Sequence, residues 1–285
     1  MSEKARTIQA ERIGGHVYRY LTARPRTGWV VSSFSGGINL LFEGGEAFVP
    51  VQTRAVPFHP WAVQVSGHLL RADEGTQASF VGEEIAIGDT VISLANAKIE
   101  SLRLPRLSNE EAKIALRRLL PLAQFIEEAR RTLPPDSFQP QIDAILRRWH
   151  ESGEVDILLD LIGLGAGSTP SGDDVLVGIL AGLSILEKVS RKKMQQLVRL
   201  RSGIQARVKG RTPLPSAQML LAACEQSFGE PILEFIEGIT LFTTSEDGLL
   251  EKIRSIYQLG HHSGHSILLG LLISLRNRTT CHYAY

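Results

Sequence analysis

The sequence predicts an α+β protein: an N-terminal β-rich domain of barrel or sandwich type, residues 1–105, followed by an all-helical domain, residues 106–285. Three observations predict it. Short apolar, β-branched runs separated by glycines recur through the first part of the chain. Beyond Pro105 the apolar period turns helical, with helix-start signals and prolines at segment ends. A chain of 285 residues, 43% hydrophobic and 21% charged, has material for two buried cores.

The elements follow in order. Gly28–Phe34 and Ile38–Phe42 flank Ser35-Gly36-Gly37, a hairpin in which glycine accepts the positive φ of a tight turn. Glu43-Gly44-Gly45-Glu46 repeats the device before Ala47–Val51. Ala62–Val65, Leu69–Ala72, Ala78–Val81, Thr90–Ala95 and Lys98–Leu104 are further strand candidates. Ser108 then offers an N-cap with Glu111 at the capping-box position. The helix it starts, Ala112–Arg131, carries Pro121, which should kink or break it. After Pro134-Pro135, helical segments are expected near 138–151, 154–162, 172–189, 191–209, 215–228, 230–242, 246–258 and 264–276.

The most informative stretch is Gly163-Leu164-Gly165-Ala166-Gly167-Ser168-Thr169-Pro170-Ser171-Gly172, followed by Asp173 and Asp174. Alternate glycines let backbone approach a ligand closely. Ser168, Thr169 and Ser171 add hydroxyls, and Ser171 is the natural N-cap of a helix starting at Gly172. A helix start leaves N–H groups unpaired, and with the dipole these attract a phosphate or carboxylate. No Lys-Ser or Lys-Thr follows the glycines, so this is not a Walker A loop, and without a preceding strand it is not a dinucleotide fingerprint. Asp173 and Asp174 oppose an anion unless compensated. A divalent cation would compensate them, and two carboxylates beside hydroxyls suit Mg²⁺, the one cofactor the residues suggest. Acidic side chains in a first helical turn also favour the dipole by roughly 0.3–1 kcal/mol each without any ligand. No metal ligand set is assigned.

The loop has an internal echo. Thr169–Leu183 resembles His261–Leu275, with Ser171/Ser263, Gly172/Gly264, Leu176/Leu268, Gly178/Gly270, Leu180/Leu272 and Leu183/Leu275 in register. A small residue at Gly178 or Gly270 lets two helices cross closely, so the pattern points to packed helices whose N-termini converge on one bipartite site. In the second copy histidines replace the acids. His261 and His265 have the spacing of metal ligands on one helix face, but a helix beginning at Gly264 leaves His261 and His262 in the loop. Acid–base work or substrate hydrogen bonding fits His261 better. The expected catalytic residues are therefore Asp173, Asp174 and His261. The expected substrate-binding residues are Gly165, Gly167, Ser168, Thr169, Ser171, Gly172, Arg211, Thr212, Ser263 and Gly264, with Arg211 gripping an anion through paired donors. Ser33-Phe34, Asn39, His59 and Trp61 read as structural.

Bulk properties narrow the function class. A net charge of +1, from 31 basic and 30 acidic side chains, argues against nucleic-acid binding. The basic stretch Arg191–Arg211 reads as a solvated helix face. Two cysteines, Cys224 and Cys281, make no disulfide framework and fit a reducing cytoplasm. The N-terminus lacks a signal-peptide core, and no apolar run reaches the roughly 18 residues of a spanning helix. The expected location is cytoplasmic.

The glycine loop with its two aspartates resembles the hallmark of a bacterial family that includes the AllH subunit of oxamate carbamoyltransferase, in which Leu is commoner at the Ser168 position. The similarity extends to Ser33-Phe34 with Asn39-Leu40, to Arg211-Thr212 with Ser216, and to Gly260-His261 with Ser263-Gly264, so it spans most of the chain. His262 and His265 stand outside it. The resemblance implies purine (allantoin) nitrogen catabolism, in which oxalurate and phosphate interconvert with oxamate and carbamoyl phosphate, with partner subunits required. Each of those ligands is a small anion. The Ser-Thr-Arg-Thr loop of aspartate and ornithine carbamoyltransferases is missing, so any carbamoyl chemistry is an unrelated solution or belongs to partner chains. A non-catalytic subunit binding a small carboxylate and a metal-dependent hydrolase are the alternatives. A homo-oligomer is compatible with either.

Overall fold

The computed structural model describes residues 6–67, 71–131, 136–187, 189–260 and 262–275. The chain forms an N-terminal eight-stranded β-barrel followed by a helical region, an α+β fold. It clusters into two units, Met1–Arg103 with Ser227–Glu230, and Leu104–Gln226 with Pro231–Tyr285.

In the first unit, β1 (Arg6–Gly14) leads into α1 (Gly15–Thr22), and β2 (Arg26–Phe34) pairs antiparallel with β3 (Gly37–Phe42), the hairpin expected around Gly36-Gly37. The sheet continues with β4 (Ala47–Gln52), β5 (Val63–Val65), β6 (Gln77–Val81), β7 (Glu84–Ile87), β8 (Thr90–Ser93) and β9 (Lys98–Glu100). Strand order is β5-β4-β3-β2-β6-β7-β8-β1, and β5 pairs back onto β1 to close the barrel, while β9 extends alongside the end of β1. Closure removes the exposed edges that an open sheet would have to protect. Alternate inward residues form its core: Ile8, Val30, Leu40, Phe42, Val49, Phe80, Ile85 and Ile92, joined by Val17 and Leu21 from α1.

Three of these elements are not evident in the sequence. β1 buries Ile8, Ala10 and Ile13 among polar and charged neighbours, α1 has two buried aliphatics, and β7 is four residues long. Of the expected strand Leu69–Ala72, Arg71 and Ala72 are irregular, and the first part lies outside the described residues. Asn39 bonds Ser32, Ser33 bonds the Ala72 carbonyl, and His59 accepts the Trp61 N–H, so these side chains serve the barrel.

The second unit holds α2 (Asn109–Arg131), α3 (Gln139–Ser152), a 3₁₀ segment Val155–Leu161, α4 (Ser171–Leu186), α5 (Arg191–Arg207), α6 (Leu214–Cys224), α7 (Glu230–Thr240), α8 (Glu246–Tyr257) and α9 (Ser263–Leu275). The capping box is made as expected: Glu111 N–H donates to Ser108 Oγ at 3.2 Å, and Ser108 N–H to Glu111 Oε2 at 2.7 Å. Pro121 does not end α2, which runs through it. Segment 154–162 is 3₁₀ rather than α. Every residue of α4 is buried, the expectation for a helix that is apolar all round. Among the described residues no helix is long and apolar enough to cross a membrane.

Candidate functional site

The echoed helices cross at their echoed glycines. A Cβ on Gly178 would lie 1.9 Å from the Ile267 carbonyl oxygen of α9, and one on Gly270 would lie 2.0 Å from the Val175 carbonyl oxygen of α4. Val175 and Ile267 hold equivalent positions in the two copies, so the contact is reciprocal. Gly182 adds a third close approach, to Ser274. This backbone-on-backbone packing brings the two helix starts together: Thr169 Oγ1 lies 3.2 Å from Ser263 Oγ.

The α4 start differs from the simple anion socket expected of it. Pro170, not Ser171, is the N-cap. The Gly172 N–H donates to the Leu164 carbonyl at 2.7 Å, and the Asp173 and Asp174 N–H groups donate to the Pro170 carbonyl at 2.9 and 3.2 Å. The loop folds back and takes up the Gly172, Asp173 and Asp174 donors that a phosphate would have used. At the start of α9 the Gly264 N–H likewise bonds back, to the Leu259 carbonyl. Gly172 and Gly264 are needed for packing, since a Cβ on either would strike the Leu161 or Ile256 carbonyl.

Asp173 is fully buried and organises the loop. Its Oδ1 accepts the Gly163 N–H at 2.9 Å, and its Oδ2 accepts the hydroxyls of Ser216, at 2.7 Å, and Thr212. Burial raises its pKa, and the hydrogen bonds from Thr212, Ser216 and Gly163 work against that rise. Gly163 is held at φ +76° with the Arg211 carbonyl where a Cβ would sit, so only glycine fits. Ser171 Oγ donates to Asp136 Oδ2 at 2.6 Å, and the other oxygen of Asp136 caps the Phe138 N–H. Asp136 escapes a reading of the sequence; the only signal is an acid just ahead of the helix after Pro134-Pro135.

Asp174 is 8% exposed, and its Oδ2 has no hydrogen-bond partner among the described residues. Burial is the largest influence on it, countered by a hydrogen bond from Ser263 and reinforced by the charge of Asp173; together they push its pKa up to about 8. The neighbouring loop is open. Ala166, Gly167, Ser168 and Thr169 are exposed, and a Cβ on Gly167 would meet nothing within 4 Å. Among the described residues, the N–H groups of Gly165 to Thr169 make no backbone hydrogen bond. Gly165, at φ +140°, lies against the Ser171 nitrogen.

The structure thus joins Thr169, Ser263 and Asp174 in one group and Asp173, Thr212 and Ser216 in another. Arg211 presents an exposed side chain next to the loop it abuts through its carbonyl. His265 is buried and stacked on Tyr257, with ring centroids 6.3 Å apart. His261 lies outside the described residues. Among the described residues no three His, Cys, Asp or Glu side chains cluster as a metal site would need. Cys224 is buried, its thiol pushed up to about 12 by burial, and is unreactive there.

Comparison with known proteins gives two family matches. Residues 6–99 match the AllH family N-terminal domain, and residues 161–275, which contain both echoed helix starts, match oxamate carbamoyltransferase subunit AllH. Neither the curated proteins nor the solved structures give a match. Together these matches span most of the chain, including the barrel strands and both paired helix starts, and the chain belongs to the oxamate carbamoyltransferase subunit AllH family.

Proposed function

We propose that this chain is the subunit of an oxamate carbamoyltransferase-like enzyme that holds a small anionic substrate on the Gly165–Thr169 loop. The candidate ligands are oxamate or oxalurate, and carbamoyl phosphate or phosphate, in the purine nitrogen catabolism that the family resemblance implies. One observation carries the reading: the Thr169–Ser263 contact joins the two echoed motifs beside a loop whose N–H groups are unclaimed. Backbone N–H groups on glycine-rich turns form anion-binding concavities. The hydroxyls of Ser168, Thr169 and Ser263 add donors, and exposed Arg211 supplies positive charge. Asp173 acts as the clamp beneath the loop and touches no ligand.

The family name makes this chain one subunit among several, so partner chains contribute to the complete enzyme. Asp173 is surrounded by three donors and burial pushes the Asp174 carboxyl up to about 8, so neither opposes an anion as an exposed carboxylate would. Titration calorimetry on the full chain with oxamate, oxalurate, carbamoyl phosphate and phosphate, with and without Mg²⁺, tests the reading. Binding of at least one, weakened about tenfold or more in a Thr169→Ala, Ser263→Ala double variant, is the expected result. Heat from none of the four would overturn it. Activity of the partner complex surviving loss of binding would instead assign catalysis to the other chains.

A further inference from the structure

We propose that Asp174 binds the ligand as a carboxylic acid, donating a hydrogen bond from Oδ2 to an oxygen of a small oxyanion seated against Gly165–Thr169 and Ser263. The inference rests on the anion site proposed above and adds the protonation state and the donor. Its starting point is the buried, unpartnered Oδ2. Buried polar atoms are nearly always hydrogen-bonded, so an orphan beside an open loop points to a missing partner. The carboxyl meets Ser263, whose hydroxyl also touches Thr169 at the loop end. This places the Asp174 carboxyl at the junction of the two helix starts.

The environments of the two neighbouring carboxyls are pushed apart. Asp173 collects three donors and gives none away, whereas Asp174 has one hydroxyl and an otherwise desolvating surround. Such divergent pairs are how one site keeps an acid beside a carboxylate. Titratable groups on the surrounding elements are Asp173 on α4, His262 just ahead of α9 and His265 within it, Asp136 ahead of α3 and Arg211 ahead of α6; the charge that acts on Asp174 is that of Asp173, and its effect also favours the acid form. A carboxylate at this position would repel an oxyanion. The acid has a proton to share with it, and carboxylate and phosphate oxygens accept such bonds equally well.

The test is the pH dependence of oxamate binding to the full chain, because the oxamate carboxylate does not titrate between pH 7 and 9. Affinity should fall roughly tenfold over that interval as the acid form is lost, with proton uptake on binding at the alkaline end visible as heats that differ between buffers of unlike ionisation enthalpy. Asp174→Asn keeps a donor and no charge, so it should bind near the wild-type level at pH 7 and stay flat to pH 9. Asp174→Ala should stay about tenfold below the wild-type pH 7 level at both pH values. Inorganic phosphate in parallel shows which oxyanion the site prefers. Wild-type binding that is flat from pH 7 to 9, or an Asn variant with the wild-type slope, would overturn the acid role and leave the anion site standing. No binding of either probe at pH 7 would remove both.

Discussion

Asp173 places its carboxylate under the Gly163 N–H and the hydroxyls of Thr212 and Ser216, tying the loop to the start of α6. Asp173→Ala strands those buried donors, and about 2–4 kcal/mol of unfolding free energy should be lost in urea denaturation. Asp174 behaves oppositely. Its folded pKa, near 8, exceeds the ordinary value of 3.8, so the folded state binds the proton more tightly than the unfolded chain. Its stabilising effect is full below about pH 4 and is lost as pH rises toward 8. Asp174→Asn should therefore flatten the fall in stability over that range and raise the neutral-pH melting temperature by a few degrees. A lower melting temperature at pH 8 would show that the buried carboxyl is a carboxylate with a partner. Glycines, hydroxyls and acids at these positions are plain in the sequence. Which acid grips the loop and which stays protonated is not, because adjacent side chains on a helix point about 100° apart and meet different surroundings.

The two helices that share a sequence pattern share a contact. Glycine inside a helix normally costs about 1 kcal/mol relative to alanine, so Gly178→Ala or Gly270→Ala would stabilise an exposed helix. Here the added methyl meets a backbone carbonyl at 1.9 or 2.0 Å, and the helices must separate. Each substitution should cost about 1–3 kcal/mol and loosen the Thr169–Ser263 junction, measurable as lower stability together with weaker oxamate binding. A stabilised protein would refute the reciprocal crossing. The echo itself was legible, because it repeats identical residues at identical spacing. The Ser108–Glu111 capping box was legible for the same local reason. α2 running through Pro121 was not: one proline weighs against helix locally, and a long helix with partners elsewhere can absorb the lost hydrogen bond.

Across the whole chain, the segment Ser227–Glu230 belongs with the barrel unit although helices flank it in sequence. Ser227 Oγ donates to the Ser101 carbonyl, and Phe228 N–H donates to that of Leu102. Glu230 receives Arg12 bidentately, at 2.8 and 3.3 Å, while the Arg12 guanidinium lies 4.3 Å from the Phe58 ring centroid. The pair is a quarter to a third exposed, so Glu230→Gln should lower stability by about 1 kcal/mol, and a double-mutant cycle with Arg12→Lys should recover most of that as coupling. Independent effects of the two substitutions would show the bridge carries no energy. By itself the sequence determined the fold class, the hairpins, the glycine loop, the echoed helices and the family, since all are written in local period, spacing or motif. The tertiary structure decided that β1 and β5 close the barrel, that the Gly172, Asp173 and Asp174 donors of α4 are already used, and that Thr169 and Ser263 meet beside an Asp174 whose Oδ2 has no partner among the described residues. Those facts depend on pairings between residues far apart in the chain, which no local pattern specifies.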